Sequence, residues 1–394
     1  MKAWKGASKK RNKNRCMKSP QPKHLALARK MKQAARRQRK KLAASGIFYT
    51  PSDQVQAPSV RRGQVTKKFI FTLEYLLGLT MIQAWTVLVT LGFLTDGYGQ
   101  PCPECGKPLS KLVFNDETRH PYNRCNRKGC KTLKVRPTEG TWADHELPLR
   151  KLAGLAYLAS GMMSAILSAD DAGLACSVGH AVAGQVLSAL RSIITLQHNR
   201  EQATIVLSGQ CEADATTLRT VRLSNGRIKH IRYFGMSRRG DRSSTIVYPL
   251  PTYTTPPGGK TRPESIDETE HLMARHTGNE VLIWHTDGAR CYRRLPLNTR
   301  VKHYKKMWTA VKRLVLDDGD VLVCYGGTEL QDGLWTHMKK AVPLTMTTST
   351  DGAEGNLEAW VAFWAWKHRR AHVPDMFSEL GAAVQAAREA DEVW

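Results

Sequence analysis

The apolar residues of the first half of the chain recur at helical spacing. Residues 69–94, FIFTLEYLLGLTMIQAWTVLVTLGFL, are interrupted by Glu74, Gln83, threonines and glycines. A membrane-spanning helix needs about 20 nearly uninterrupted apolar residues, so this run predicts two buried helical segments and no membrane insertion. Helical spacing returns in residues 147–198, where the recurring positions are Leu174, Val178, Val182, Val186, Leu187 and Leu190.

From Ala203 the pattern changes to that of strands. TIVLSGQCEAD is followed by TTLRTVRLS and RIKHIRYFGM, which are joined by Asn225-Gly226, a strong signal for a two-residue hairpin turn. Further strands are predicted in STIVYPLP, NEVLIWHTDG and DDGDVLVCYG, and a loop in PTYTTPPGGKTRPES. The predicted helices are ESIDETEHLMARH, TELQDGLWTHMKKAV and NLEAWVAFWAWKHRRAH. Interleaved strands and helices of this kind predict a mixed sheet covered by helices.

The excess of basic residues indicates a polyanionic binding partner. The chain of 394 residues has 60 Lys plus Arg against 34 Asp plus Glu, and residues 1–45 contain no acid at all. Such a basic block is typical of a disordered tail that binds a polyanion, and in a eukaryotic cell it also indicates nuclear import. Otherwise we expect a cytoplasmic or nucleoid location. Nine cysteines without dense spacing argue against a secreted disulfide framework.

Four of the cysteines have the spacing of a metal site. Cys102 and Cys105 form one close pair, and Cys125 and Cys130 form a second pair, with nineteen residues between the two pairs. Two such pairs close tight turns around one tetrahedral Zn²⁺, and four thiolates leave no open coordination position. We therefore predict a structural zinc site in a basic surround that suits contact with phosphates.

Acidic residues form a second candidate constellation. Glu212 and Asp214 are two residues apart on a predicted strand and therefore share a face, which requires a nearby positive charge. Asp287 ends another apolar strand before Gly288.

The third acid of this constellation is predicted on a helix. Thr328 and Gln331 fit a capping box that places Glu329 in the first helical turn. Glu329, Asp332 and Lys339 share one sector of that helix, opposite an apolar stripe of Leu330, Leu334 and Met338. Acids on two strands and a following helix can converge on two Mg²⁺ ions, the arrangement used for phosphodiester displacement.

With these motifs in this order, the chain resembles the DDE-type insertion-sequence transposases of the ISXO-like group. The resemblance runs from about Ala84 to Arg370. It is carried by WTVLVTLGFLTDGYGQPCPECG, RCNRKGCKTLKVRPTEGTWADHELPLRKL, LSGQCEADAT, WHTDGARCY, VKHYKK and TELQDGLWTHMKK. These proteins combine a zinc ribbon with a ribonuclease H-like catalytic domain. The resemblance therefore implies a metal-dependent transposase that cleaves DNA at transposon ends and joins it to target DNA, acting as a homo-oligomer.

The resemblance also assigns roles to residues. It implies that Asp214, Asp287 and Glu329 hold Mg²⁺, with Mn²⁺ as a substitute, and Asp332 is the alternative third ligand. Lys339 is expected to contact phosphate, and His303 is an auxiliary site residue. The chain departs from the group at Ala215, where an acid usually follows the first Asp. A domesticated DNA-binding protein that has lost the reaction is the alternative.

The helices that precede the predicted catalytic domain leave two interpretations open. LSADDAGLACSVGHAVAGQVLSALR fits a helix-turn-helix with Gly179–Arg191 as recognition helix, and it equally fits plain packing because it has few basic residues. Arg150, Lys151 and Arg191 are its candidate phosphate contacts.

The expected fold is a multidomain α/β protein. The predicted segments are a basic disordered tail (1–66), a helical segment (67–99), a zinc ribbon (100–136), a helical DNA-binding region (137–200), a ribonuclease H-like catalytic domain (201–345) and a C-terminal helical region (346–394).

Overall fold

A computed structural model provides the coordinates of the chain. It describes residues 49–50, 71–114, 120–130, 134–139, 141–161, 168–301, 309–316, 319–342 and 353–390. His303 and nearly all of the predicted basic tail lie outside the described residues.

Helices form one part of the molecule around a single large apolar core. The short helices α1 (Leu73–Gly78) and α2 (Met81–Thr90) come from the apolar run 69–94, as predicted. Helices α3 (Leu149–Ala159), α4 (Ala169–Cys176) and α5 (His180–Thr204) follow. Their buried faces form this core together with aromatic residues from near the C-terminus, among them Phe363, Trp366 and Phe377. Burial of this apolar surface is the main stabilising contribution to this part.

Among the residues that the structure describes, no single helix is long and apolar enough to cross a membrane. Helices α4 and α5 reach that length and composition only when taken together, and they are bent by 112° relative to each other.

The turn between α4 and α5 has the geometry of a helix-turn-helix, since two helices meet near a right angle across a three-residue connection. Two of the three candidate phosphate contacts have partners within the protein. Lys151 Nζ donates to the carbonyl of Ser177 at 2.6 Å, and the guanidinium of Arg191 lies 4.5 Å from the centre of the Trp360 ring. These contacts show a packing role for Lys151 and Arg191.

A five-stranded mixed sheet forms the second part. Its strands are β2 (Leu207–Arg222), β3 (Ile228–Arg238), β4 (Ile246–Thr255), β5 (Thr277–Thr286) and β6 (Asn298–Arg300), in the spatial order β4-β3-β2-β5-β6. The β2, β3 and β4 strands pair antiparallel, whereas β5 runs parallel to both β2 and β6. The predicted hairpin lies between β2 and β3, with Gly226 at φ 77°. This α/β arrangement with a mixed sheet is compatible with a ribonuclease H-like fold.

The two faces of this sheet bury separate apolar cores. One face is covered by α6 (Ile266–Arg275) and a 3₁₀-helix (Arg290–Arg294), which pack on residues such as Phe234 and Trp284. The other face is covered by α7 (Glu329–Ala341) and α8 (Ala353–Arg369), which pack on Tyr233 and its neighbours. Because side chains alternate along a strand, consecutive residues of β2 and β3 serve different cores. Helix α9 (Met376–Glu389) closes the chain against the helical part.

A smaller sheet lies beside the large one. Strands β7 (Thr309–Val315) and β8 (Val321–Gly327) form an antiparallel pair, and β1 (Tyr49–Thr50) runs parallel to β8. Residues 49–50 are the part of the predicted tail that the structure describes.

The structure corrects the strand boundaries. The predicted loop from Pro251 is wrong in its first five residues, because β4 continues to Thr255. Within the described sheet β4 pairs only with β3, so Pro249 and Pro251 lack an N–H where a second ladder is not required. Strands β1, β6 and β7 were not predicted, and β1 lies within the segment predicted to be a disordered tail.

Candidate functional site

The sheet register brings Asp214 and Asp287 together. In the parallel pair of β2 and β5, Ala213 lies beside Thr286. Asp214 directly follows Ala213 and Asp287 directly follows Thr286, and neighbouring strands are about 4.8 Å apart. The backbone N–H of Ala289 donates to Asp287 Oδ1 at 2.8 Å, which fixes this carboxylate at the turn after β5. The two acids predicted from the strands therefore meet at the end of β5.

The third acid of this cluster is Glu264, which the sequence analysis missed. Carboxylate oxygens of Asp214, Glu264 and Asp287 all lie within 4.8 Å of one another; we call these three residues the acid cluster. Glu264 immediately precedes Ser265, the N-cap of α6, whose capping box with Glu268 fixes where the helix begins. No local signal distinguishes Glu264 in the sequence, since Asp267, Glu268 and Glu270 follow it within six residues.

Like charges and burial dominate the electrostatics of the acid cluster. Asp214 is 8% exposed, and burial together with the charges of Glu264, Asp287 and Asp332 raises its pKa well above the usual range. Burial also raises the pKa of Glu264, against the influence of the neighbouring Tyr292 hydroxyl. Glu264 Oε1 is buried without a hydrogen-bond partner in the described structure. Such a group is costly unless a cation neutralises it.

Helix α7 reaches the acid cluster through Trp335. The indole N–H of Trp335 donates to Asp214 Oδ2 at 3.0 Å. This approach requires Gly235, the residue of β3 that pairs with Asp214. A Cβ at Gly235 would overlap Gln331 Nε2 and come within 2.6 Å of the Trp335 ring. The glycine therefore lets the helix lie directly on the sheet.

The acids predicted on α7 have different surroundings. Asp332 is half-buried, and its charge is one of those that raise the pKa of Asp214. The carboxylates of Asp214 and Asp332 also act on Lys339, whose pKa is nevertheless lowered by partial burial. Glu329 is exposed and is not part of the acid cluster. It is the first helical residue, as predicted, but Asp332 lies nearer to the site.

The positive partner of Glu212 is Arg239. Glu212 is 1% exposed, and Arg239 donates to its Oε1 at 2.9 Å. The same guanidinium donates to the carbonyls of Tyr325 and Gly327 at the end of β8. Glu212 Oε2 in turn accepts the backbone N–H groups of Leu330 and Gln331 at 2.9 and 3.0 Å. We call this ion pair the Glu212–Arg239 lock, because it joins β2 to the junction of β8 and α7.

The lock corrects the local predictions for α7. The side chain of Thr328 does not cap the helix; it donates to Asp332 Oδ2 at 3.3 Å. Glu212 supplies the acceptor for the first N–H groups instead, which is a favourable place for a carboxylate. The predicted apolar stripe is also shifted, since Leu330 is exposed whereas Leu334, Trp335 and Met338 are buried.

Ala215 lies on the other side of β2 from these acids. It packs with the core beneath α6, so its side chain takes no part in the acid cluster. An acid at this position would face apolar neighbours, which explains why alanine fits here.

The four predicted cysteines form the second cluster. Their sulfur atoms lie within 4.8 Å of one another, with Cys105 and Cys125 at 3.4 Å and Cys102 and Cys130 at 3.9 Å. These distances are too long for disulfides and close to the ~3.8 Å separation of sulfurs around a tetrahedral Zn²⁺. Gly106, directly after the first pair, and Gly129, between Cys125 and Cys130, have φ 69° and 82°.

The thiols of this cluster oppose joint ionisation. Burial raises the pKa of Cys102, but the N–H groups of Cys105 and Glu104 outweigh it and lower that pKa to about 6. The N–H of Arg127 favours the Cys125 thiolate, yet burial and the other three cysteines raise its pKa to about 12. A divalent cation would remove this conflict.

Both clusters could hold a metal ion, and their donor atoms differ in kind. Sulfur donors suit Zn²⁺, whereas three carboxylates suit Mg²⁺ or Mn²⁺. Oxygens around one Mg²⁺ lie about 3.0–4.2 Å apart, which the spacing of the acid cluster approaches. Comparison of the chain with protein-family models, with curated proteins and with solved structures gives no match.

Proposed function

We propose that the chain is a DNA transposase of the DDE type that cleaves phosphodiester bonds at transposon ends and transfers the strand into target DNA. The observation that carries this proposal is the convergence of Asp214, Glu264 and Asp287 within 4.8 Å beside a parallel strand pair. Acids so placed in a mixed α/β sheet fit metal-dependent phosphodiester chemistry better than a purely structural role. The order of the motifs in the sequence supports DNA as the substrate.

The acid cluster would hold Mg²⁺, or Mn²⁺ as a substitute. When bound, these ions activate water and stabilise the leaving oxygen of the phosphodiester. Asp214 and Asp287 keep the roles expected for them, and we assign Glu264 rather than Glu329 as the third ligand. Asp332 is close enough to influence Asp214 and is the candidate for a second ion. Trp335 orients Asp214, Lys339 meets a substrate phosphate, and His303 remains an auxiliary residue by resemblance.

The rest of the chain would bind and hold the DNA. Cys102, Cys105, Cys125 and Cys130 would bind one structural Zn²⁺ in a ribbon rich in Lys and Arg. The net charge of +26 suits a polyanionic partner. By analogy with transposases that pair two DNA ends, we expect a homo-oligomer, located in the nucleus in a eukaryotic host and at the nucleoid otherwise.

Strand cleavage tests the proposal. The substrate is DNA that carries the terminal inverted repeats expected on either side of a transposase gene, incubated with Mg²⁺ or Mn²⁺. Wild-type protein should cleave it, and chelation or Asp214→Asn should abolish cleavage, whereas Asp267→Asn, an exposed acid on α6, should not. Cleavage that survives Asp214→Asn would overturn the assignment. Tight binding without cleavage by any form would favour the alternative, a domesticated DNA-binding protein.

A further inference from the structure

Three exposed arginines lie next to the acid cluster. The 3₁₀-helix Arg290–Arg294 begins three residues after Asp287 and has the sequence RCYRR. Cys291 and Tyr292 are buried in the core beneath α6, whereas Arg290, Arg293 and Arg294 are exposed. We call these three residues the arginine surface. Two buried residues thus anchor a segment that carries three exposed charges directly after Asp287.

The segment that carries these arginines is tied firmly to the acid cluster. Arg300 on β6 donates to the carbonyls of Gly288 and Ala289 at 2.8 and 3.1 Å. Asn298 on the same strand donates to the carbonyl of Tyr292 at 2.8 Å. Together with the bond from Ala289 to Asp287, these contacts fix the arginine surface relative to a metal-ligand candidate.

The side chains of the arginine surface are exposed to solvent. In the part of the chain that the structure describes, none of them forms an ion pair or a side-chain hydrogen bond, although Asp287 of the acid cluster lies only three residues before Arg290. The sequence that follows β6, VKHYKK, adds further positive charge. Exposed guanidinium groups beside a candidate cation site are complementary to a phosphodiester backbone, which carries one negative charge per about 3.4 Å of helix axis on each strand.

We infer that Arg290, Arg293 and Arg294 bind the backbone phosphates of DNA next to the bond that is cleaved. This inference rests on the proposed function for the identity of the polyanion. Ions in the acid cluster would neutralise the phosphate at the reaction centre, and the arginine surface would hold its neighbours. Guanidinium contacts to phosphates carry no base specificity, so this surface positions the strand in any sequence.

The salt dependence of DNA binding tests the inference without cleavage. Binding of a fluorescent 30-base-pair duplex is measured by anisotropy at several salt concentrations, in Ca²⁺ or chelator, for wild type and for the triple variant R290Q/R293Q/R294Q. Each lost phosphate contact should reduce the slope of log K against log salt by about 0.9. We expect a reduction of about 2–3 for the triple variant, with an unchanged melting temperature.

A matched triple variant supplies the control. Arg222, Arg275 and Arg313 are equally exposed. Arg222 lies eight residues beyond Asp214 on β2, roughly 26 Å away at 3.3 Å per residue. Arg275 ends α6 eleven residues after Glu264, roughly 16 Å away at 1.5 Å per helical residue. R222Q/R275Q/R313Q should leave the slope within about 1 of wild type. An unchanged slope for the first variant, or an equal loss for both, would overturn the inference.

The cleavage assay tests the proposed function separately from the DNA-binding test of the arginine surface. A reduced slope in a protein that never cleaves DNA would uphold the arginine surface and remove the transposase assignment. Normal metal-dependent cleavage with an unaltered slope for the triple variant would support the transposase assignment and overturn the inference about the arginine surface.

Discussion

The cysteine cluster and the acid cluster are built in opposite ways. All four cysteines lie between Cys102 and Cys130, in a module whose described backbone pairing consists of isolated bridges such as Leu109 with Cys125. The acid cluster draws Asp214 from β2, Glu264 from the start of α6 and Asp287 from the end of β5. The first site is formed by local turns, and the second by the register of a sheet.

This difference decides what a metal ion would do at each site. Among its described residues the cysteine module buries few side chains, including Leu109 and Tyr122, so folding of the module would depend on the bound ion. The acid cluster lies between two apolar cores that exist without it. There the ion would relieve repulsion in a scaffold that is already folded.

The largest effect is therefore expected at the cysteines. Cys125→Ser, or a strong chelator, should remove one zinc per chain and unfold residues 100–136, because structural zinc supplies about 10–16 kcal/mol. Hydrogen exchange would show loss of protection in this module and unchanged protection in β2 and β5. Cys176→Ala, a buried cysteine outside the cluster, should retain the zinc. Retention of full zinc content by Cys125→Ser would show that the cluster is not a metal site.

The next effect distinguishes two candidates for the third acid. Glu264→Gln should reduce cleavage at least about 10³-fold, because removing a ligand weakens a metal contribution of several kcal/mol. Glu329→Gln should change the rate less than about threefold, since Glu329 is exposed and outside the acid cluster. Calorimetric titration with Mn²⁺ would give the same order for metal affinity. The reverse ranking would restore Glu329 as the ligand and contradict the geometry.

A smaller effect, on folding stability, is expected at the Glu212–Arg239 lock, which joins β2 to the junction of β8 and α7. Arg239→Met would leave Glu212 buried without its ion-pair partner, which should cost about 3–5 kcal/mol of unfolding free energy. The neighbouring Arg238 pairs with Asp241 at the surface, its side chain 47% exposed, so Arg238→Met should cost at most about 1 kcal/mol. Urea unfolding compares the two. Equal losses would mean that the Glu212–Arg239 lock is no stronger than a surface pair.

Local signals in the sequence were sufficient to predict the residues of the cysteine cluster and two of the three residues of the acid cluster. The spacing of the cysteine pairs predicted which sulfurs meet, because each pair closes a turn of a few residues. Asp214 and Asp287 were predicted because each lies on or directly after an apolar strand, and the parallel register of β2 and β5 brings them side by side.

Glu264, Arg239 and Tyr292 could not be predicted in the same way. Glu264 joins the acid cluster only because α6 returns across the sheet, and Arg239 finds Glu212 through the pairing of β2 with β3. The strand order and the shared faces follow from tertiary packing, which single-sequence patterns do not encode. For the same reason the capping box at Thr328 was wrong, since a carboxylate from a distant strand replaced it.

The smallest effect concerns the metal-free acid cluster and its dependence on pH. Burial and the charges of Glu264, Asp287 and Asp332 raise the pKa of Asp214 above its unfolded value, so the folded state binds this proton more tightly than the unfolded state. Folding stability should then be lost as pH rises from about 4, the ordinary pKa of Asp, through the raised folded value. Asp214→Asn should raise the melting temperature of the metal-free protein at pH 8, by about 2–4 °C for each kcal/mol of repulsion removed. At pH 4 the two proteins should melt together, and Asp267→Asn should follow wild type throughout. Saturating Mg²⁺ should raise the melting temperature of the wild type at pH 8 but not that of the variant. If the variant were less stable than the wild type at pH 8, the Asp214 carboxylate would already be compensated within the protein.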